Sequence, residues 1–420
     1  MKYLTLIILF YSIAVLSEDR DPLIEEYETL LSNARYLPLS DHSFCYNQGD
    51  GVQGQNIDRP KKIASVTKLF TTYLASEALD LNQIYETKIF IAGDKLHIDG
   101  SNDPYFEEEK MLLLLKSLNN LGYKSFKSVS FDSDFMFYDI GLEAHEEISP
   151  AKTKLRIQTY FNKKSINLIK SMMDKTKKFA EEEGIYIDNT ITPSVHATTV
   201  LLSEKNPLIN LSPSLFIHRS KPLHQILKSM NVMSKNVVAQ NIYNQAQKIK
   251  KLSKLLVENG VDVNTFNFFN GSGLPLKKGK VRIDNLATCR TVLKLISLLP
   301  ESLKKHHLAI SDIMAVNGGK DLGSLRERFV DYPETHQAVL AKTGTLSVGS
   351  ALAGTLMTDK NISFAIFNHT SRLAPIKKLQ DTFVTRMFHH LGEPRPIDYF
   401  KIPIFPWDGI DFIVQVPGFY

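Results

Sequence analysis

Two cysteines and one tryptophan are all that 420 residues contain of either type. Cys45 and Cys289 make no disulfide framework. They are either one bridge in an exported chain or two separate buried thiols. Neither has a histidine pattern suited to a metal site or a thiol protease. The twelve histidines include no H-E-x-x-H, so the sequence predicts no metal and no cofactor. Apolar runs long enough to cross a membrane are missing after the first seventeen residues. There is no internal repeat and no long low-complexity segment. The net charge of +5 favours an anionic partner such as a membrane surface and does not imply nucleic acid. With 43% hydrophobic residues the chain can bury a full core spread over two or more structural units.

The N-terminus differs from the rest. Met1-Lys2 followed by an apolar run to Ser17 reads as a signal peptide, with small residues at Val15 and Ser17 suiting cleavage before Glu18. An uncleaved anchor is the alternative, since only one basic residue precedes the run. No cysteine follows directly, which argues against a lipoprotein. The expected location is exported, periplasmic or otherwise extracytoplasmic.

Three short motifs carry the chemistry: Ser65-Val66-Thr67-Lys68, Ser234-Lys235-Asn236 and Lys342-Thr343-Gly344-Thr345. Apolar residues at helical spacing from Leu69 to Leu79 put Ser65 in the first turn of a helix. Residues three apart share a helix face, so the Lys68 amine reaches the Ser65 hydroxyl. A serine needs such a base. Lys68 serves only when neutral, which burial and a second cation, Lys342, would favour. Ser149/Lys152 and Ser302/Lys305 share the spacing, but Pro150 marks the former as a helix start. Ser229/Asn231 competes with Ser234/Asn236, and five residues turn a helix by roughly 140° beyond a full turn, so one pair faces away. Ser234/Asn236 is preferred, because Val237, Val238, Ala239 and Ile242 continue as a buried face. Around the third motif, three strand-like runs separated by turns predict an antiparallel meander. Gly344 would leave room for a peptide along its edge. Lys342 and the threonine hydroxyls would hold a carboxylate, and the N–H groups of Ser65 and Thr345 an oxyanion.

In this order the motifs are those of β-lactamases and penicillin-binding proteins, and the resemblance sharpens over residues 40 to 375. The chain resembles the D-alanyl-D-alanine carboxypeptidase/endopeptidase family typified by penicillin-binding protein 4, the S13 serine peptidases. Besides the motifs, Leu96 to Pro104, Val129 to Ser133, Met230-Asn231, Asn270-Gly271-Ser272-Gly273-Leu274 and Gly323-Ser324-Leu325-Arg326 carry the likeness. It implies an α/β, β-lactamase/transpeptidase-like fold: an antiparallel sheet flanked by helices, with a small inserted α+β domain. Ser65, Lys68 and Ser234 would be catalytic. Asn236, Lys342, Thr343, Gly344 and Thr345 would bind substrate, and Asp132 would be a specificity position. The implied partners are peptidoglycan peptides, β-lactams as covalent inhibitors, and the wall surface.

The expected division is 1-17 signal peptide, 18-92 and 199-420 catalytic domain, and 93-198 insertion. The family commonly carries two nested subdomains there, and this segment has room for one. Asn270 stands where the family has an acid, and Pro275-Leu276-Lys277-Lys278 replaces a Ser-Arg pair. The basic stretch from Lys163 to Lys178 reads as the solvated face of an inserted helix, and the Pro- and aromatic-rich tail from Pro394 as an extended segment over the body. The resulting expectation is a serine DD-peptidase. The alternatives are a wall-binding or regulatory protein that keeps the fold without turnover, or a β-lactamase.

Overall fold

The computed structural model describes residues 21–49, 51–138, 149–187, 193–278, 281–318, 321, 323–401 and 412–417. The signal-peptide segment lies outside them, as do Phe405, Trp407, Phe419 and Tyr420 of the tail.

A six-stranded antiparallel sheet organises the catalytic half. Its spatial order is Ala315–Val316, Val339–Leu346, Gly349–Leu356, Ile362–His369, His42–Asn47 and Gln53–Gln55. The expected meander forms its centre, with Lys342 opposite Ala353 and Leu352 opposite Ile366. Both faces are covered, so these strands are buried almost throughout. Successive side chains alternate between the two covers. Cys45, Ala351, Ala353 and Ala365 face helices Thr67–Ala78 and Cys289–Lys304. Phe44, Leu352, Phe364 and Ile366 face helices Pro22–Asn33 and Leu373–Leu391. Small residues on the first face let the serine-bearing helix lie close to the sheet. Cys45 and Cys289 are bonded, with Cα atoms 6.0 Å apart, tying a central strand to the first turn of Cys289–Lys304.

The second six-stranded sheet is mixed, in the order Val414–Gln415, Ser214–Arg219, Glu86–Ala92, Lys95–Asp99, Ser125–Phe131 and His196–Leu202. Lys95–Asp99 and Ser125–Phe131 are parallel, so the chain must cross over between them, and helix Glu108–Asn120 is that crossover. Helices Pro150–Tyr160 and Ile166–Glu182 complete the layer, sharing a core that includes Leu112, Phe131, Ile157 and Met173. In Ile166–Glu182 the residues Ile169, Met173, Thr176 and Ala180 are buried, whereas Lys170, Lys175 and Lys178 are exposed. The basic run is thus a solvated face. Glu86–Ala92, Ser214–Arg219 and the tail strand Val414–Gln415, from outside 93-198, also belong to this sheet. The outgoing and returning strands pair with each other antiparallel, so the insertion is closed by strands on either side of it in sequence. The described parts of the tail lie against the body. Phe412 stacks on buried His218 with ring centroids 4.0 Å apart, and Tyr399 donates to Asp321.

Candidate active site

Ser65 sits in a single 3-10 turn, Ala64–Val66, that runs into helix Thr67–Ala78. Ala64 takes a left-handed conformation (φ 49°), which costs a non-glycine residue about 1 kcal/mol and turns the chain sharply before the serine. Two glycines hold this turn in place. A Cβ on Gly273 would lie 1.8 Å from the Ala64 carbonyl oxygen, and one on Gly344 would lie 2.9 Å from both Ala64 Cβ and the Ile63 carbonyl oxygen. The space left by Gly344 is therefore filled by the serine turn itself. The segment Asn270 to Leu274 is wound around Asn270, whose Oδ1 accepts from the N–H groups of Ser272 and Gly273 at 3.2 and 2.8 Å. An amide oxygen does here what a carboxylate would do, while its Nδ2 also donates to the Leu274 carbonyl at 2.7 Å.

Lys68 is wholly buried. Its Nζ is 3.0 Å from Ser65 Oγ, 2.7 Å from Asn236 Oδ1 and 2.8 Å from the Ser272 carbonyl oxygen. No carboxylate lies among these partners. Burial first, and the charge of Lys342 second, hold the Lys68 amine well below the usual lysine range. A neutral amine has a lone pair to offer, and the nearest proton is that of Ser65. Lys342 is also buried, donates to the Thr343 carbonyl at 2.9 Å, and is pushed down to about 7 by burial.

The remaining motif residues come from a loop between two helices and from the Val339–Leu346 strand. Ser234 ends helix Leu223–Met233 in a left-handed conformation (φ 58°), and Asn236 opens helix Asn236–Ile249. The sharp reversal between the helices brings Asn236 Oδ1 to Lys68 Nζ and sets Ser234 two residues before it. In the Lys342 strand, only Leu340 and Ala341 pair with Ala315–Val316, so Lys342–Leu346 forms an edge on that side, with Thr345 exposed. Thr343 is nearly buried.

The competing matches are structural. Ser149 Oγ accepts from Lys152 N as a helix cap. Ser302 donates to Glu77, which also pairs with Lys305. Asn231 is buried and donates to Thr72 Oγ1 and the Ile313 carbonyl. Asp132 is not brought to the cluster by any hydrogen bond among the described residues. Its carboxylate accepts from the N–H groups of Gly100 and Phe135, and burial raises its pKa.

Residues 181–386 match the D-Ala-D-Ala carboxypeptidase 3 (S13) family. The matched segment spans just under half of the chain. It holds Ser234, Asn236 and Lys342, and the Ser65 turn packs against it. A predatory peptidoglycan endopeptidase from Bdellovibrio bacteriovorus has the same fold, with 23% identity, TM-score 0.75, and coverage of 89% of this chain and 98% of that one. The same endopeptidase, acylated by penicillin G and in complex with an immunity protein, gives 23% identity, TM-score 0.72 and coverage of 89% and 99%. Penicillin-binding protein 4 from Haemophilus influenzae is more distant, at 16% identity and TM-score 0.55 over 86% and 99%. No curated protein matches in sequence. The α/β transpeptidase-like architecture expected from the motifs is therefore the observed one.

Two parts of the site escape sequence reasoning. The Ser272 contribution is a backbone carbonyl, which no side-chain motif announces, although the glycines flanking Ser272 mark close backbone packing. Lys235 occupies the variable position of Ser-x-Asn, and its partners lie more than a hundred residues away.

Proposed function

We propose that this chain is a serine-type D-Ala-D-Ala carboxypeptidase and DD-endopeptidase that hydrolyses peptidoglycan stem peptides or crosslinks through an acyl-Ser65 intermediate. The observation that carries this reading is Lys68 Nζ, buried without a carboxylate and 3.0 Å from Ser65 Oγ. The neutral amine takes the hydroxyl proton as Oγ attacks the carbonyl between two D-residues. The oxyanion is met by the N–H groups of Ser65 and Thr345. As the C–N bond breaks, Ser234 relays the proton from Lys68 to the departing amine, leaving the acyl group on Ser65. Water, deprotonated by the same lysine, then cleaves the ester and restores the serine. Asn236 orients the substrate amide, and Lys342 with Thr343 and Thr345 receives the carboxylate or the peptide strand laid along the edge. β-Lactams would acylate Ser65 by the same attack.

Exported, extracytoplasmic placement fits this substrate, and the Cys45–Cys289 bond supports it, since such bonds persist in oxidising compartments. The exposed lysines of Ile166–Glu182 suit an anionic wall or membrane surface. The test is incubation with a D-Ala-D-Ala pentapeptide and with a crosslinked muropeptide dimer, alongside Ser65→Ala. Release of D-Ala or of monomers by the wild type alone is expected. Neither product from folded protein would contradict the reading.

A further inference from the structure

Lys235 separates Ser234 from Asn236, yet its side chain leaves the cleft. The Lys235 backbone is extended, its N–H donates to the Met230 carbonyl at 3.1 Å, and its side chain is only 12% exposed. Nζ forms an ion pair with Glu107 Oε2, lies 3.6 Å from Glu109 Oε1, and sits 4.7 Å from the centre of the Tyr105 ring. Tyr105 and Glu107 come from the short connection between strand Lys95–Asp99 and helix Glu108–Asn120 of the second sheet layer, and Glu109 from the first turn of that helix. That connection is itself fixed to the two helices that the Ser234–Asn236 loop joins. Ser229 donates to Tyr105 OH at 3.3 Å, Asn241 to the Pro104 carbonyl at 3.3 Å, and Gln245 to the Asn102 carbonyl at 2.7 Å.

We propose that Lys235, Glu107, Glu109 and Tyr105 form a clamp by which the inserted layer positions Ser234 and Asn236 for acylation of Ser65. The inference rests on the reaction proposed above and assigns the insertion a part in it. The loop needs such a hold. Ser234 is in a left-handed conformation that non-glycine residues adopt at a cost, and Asn236 must keep its 2.7 Å contact with the base. A buried cation shared by two carboxylates and an aromatic face allows its backbone little travel. The clamp also lines an open surface recess. That recess, of about 410 Å³, is lined as well by Glu108, Lys175, Phe179, Met233, Ser234 and Asn236, so catalytic and inserted residues share one surface. Lys235 is a positioning residue here, because it touches neither Ser65 nor Lys68 among the described hydrogen bonds.

The experiment measures two things on Lys235→Met, Lys235→Arg and the isosteric Glu107→Gln. The first is the rate of penicillin G acylation with and without Asn236→Ala. The second is hydrogen exchange of the amides from Ser234 to Val238. Misplacing the loop should slow acylation ~30-fold in Lys235→Met and ~5-fold in Glu107→Gln, with Lys235→Arg recovering most of the loss. On the Asn236→Ala background the same changes should cost under ~3-fold, because the loop's main contribution is already gone. The loop amides should exchange faster in Lys235→Met. A folded Lys235→Met that acylates at the wild-type rate, or losses that multiply with Asn236→Ala, would overturn the clamp. Unchanged exchange would overturn it even if the wild type took no penicillin, an outcome that would separately overturn the proposed reaction.

Discussion

Buried lysines occur in two regions of this protein and meet opposite company. In the cleft, Lys68 is surrounded by a hydroxyl, an amide oxygen and a carbonyl, and Lys342 by a carbonyl. Elsewhere three are matched by acid: Lys235 by Glu107 and Glu109, Lys110 by Asp103, and Lys228 by Asp321. Burial lowers the pKa of Lys235 and Lys228 alike, and the acids beside them offset it: Glu107 and Glu109 leave Lys235 well above the usual lysine range, whereas Lys228 beside Asp321 stays below it. The absence of such an acid leaves the amine to shed its proton instead. The same side chain is structural in one place and basic in the other, and the difference is the partner rather than the depth of burial.

Replacing Lys68 breaks the comparison most severely. Lys68→Met should lower the penicillin acylation rate by at least ~10³-fold, since the proton acceptor is gone. Stability should hold or rise, measured by thermal unfolding. Burial that holds the Lys68 amine well below the usual lysine range opposes folding at neutral pH, a cost that methionine does not carry. Lys228→Met should do the reverse. Asp321, which accepts from Lys228, Tyr399 and the Val316 N–H, would lose its cation in a buried site. A loss of about 3 kcal/mol in denaturant unfolding is expected, with acylation per folded molecule within about twofold of wild type.

The pH dependence sharpens the contrast. Lys342 titrates near 7 rather than near 10.5, so its charge is present below that pH and lost above it. kcat/KM for a peptide ending in a free carboxylate should therefore fall as pH rises through about 7. A C-terminal amide analogue should not follow that limb. The smallest effect belongs to Asp132→Asn, because its carboxylate serves the backbone N–H groups of Gly100 and Phe135. About 1 kcal/mol of stability should be lost, with penicillin acylation unchanged.

Much of the catalytic side was legible because its chemistry is local. Ser65 and Lys68 share one helix turn, and Ser234 and Asn236 flank one loop. Lys342 to Thr345 lies in a strand whose apolar neighbours repeat along the meander. Helical rotation leaves room for one of Ser229 and Ser234, the apolar run Val237, Val238, Ala239 and Ile242 favours Ser234, and it is Asn236 whose Oδ1 meets Lys68. The second sheet was harder to delimit. Glu86–Ala92 and Ser214–Arg219 pair across more than a hundred residues, and nothing in either strand names its partner. The Cys45–Cys289 bond spans 244 residues and was one of two readings. The Lys235 clamp was invisible for the same reason, being a contact between units at a position the motif leaves open.

The central claim is that Ser65 is the nucleophile and an uncharged Lys68 its base. It is tested most directly by peptide mass mapping after penicillin G treatment of the wild type and of Lys68→Met across a range of pH. A penicilloyl group on the peptide carrying Ser65 is predicted, forming rapidly at neutral pH in the wild type and hardly at all in Lys68→Met. An adduct on another residue, or equal rates in both proteins, would contradict it.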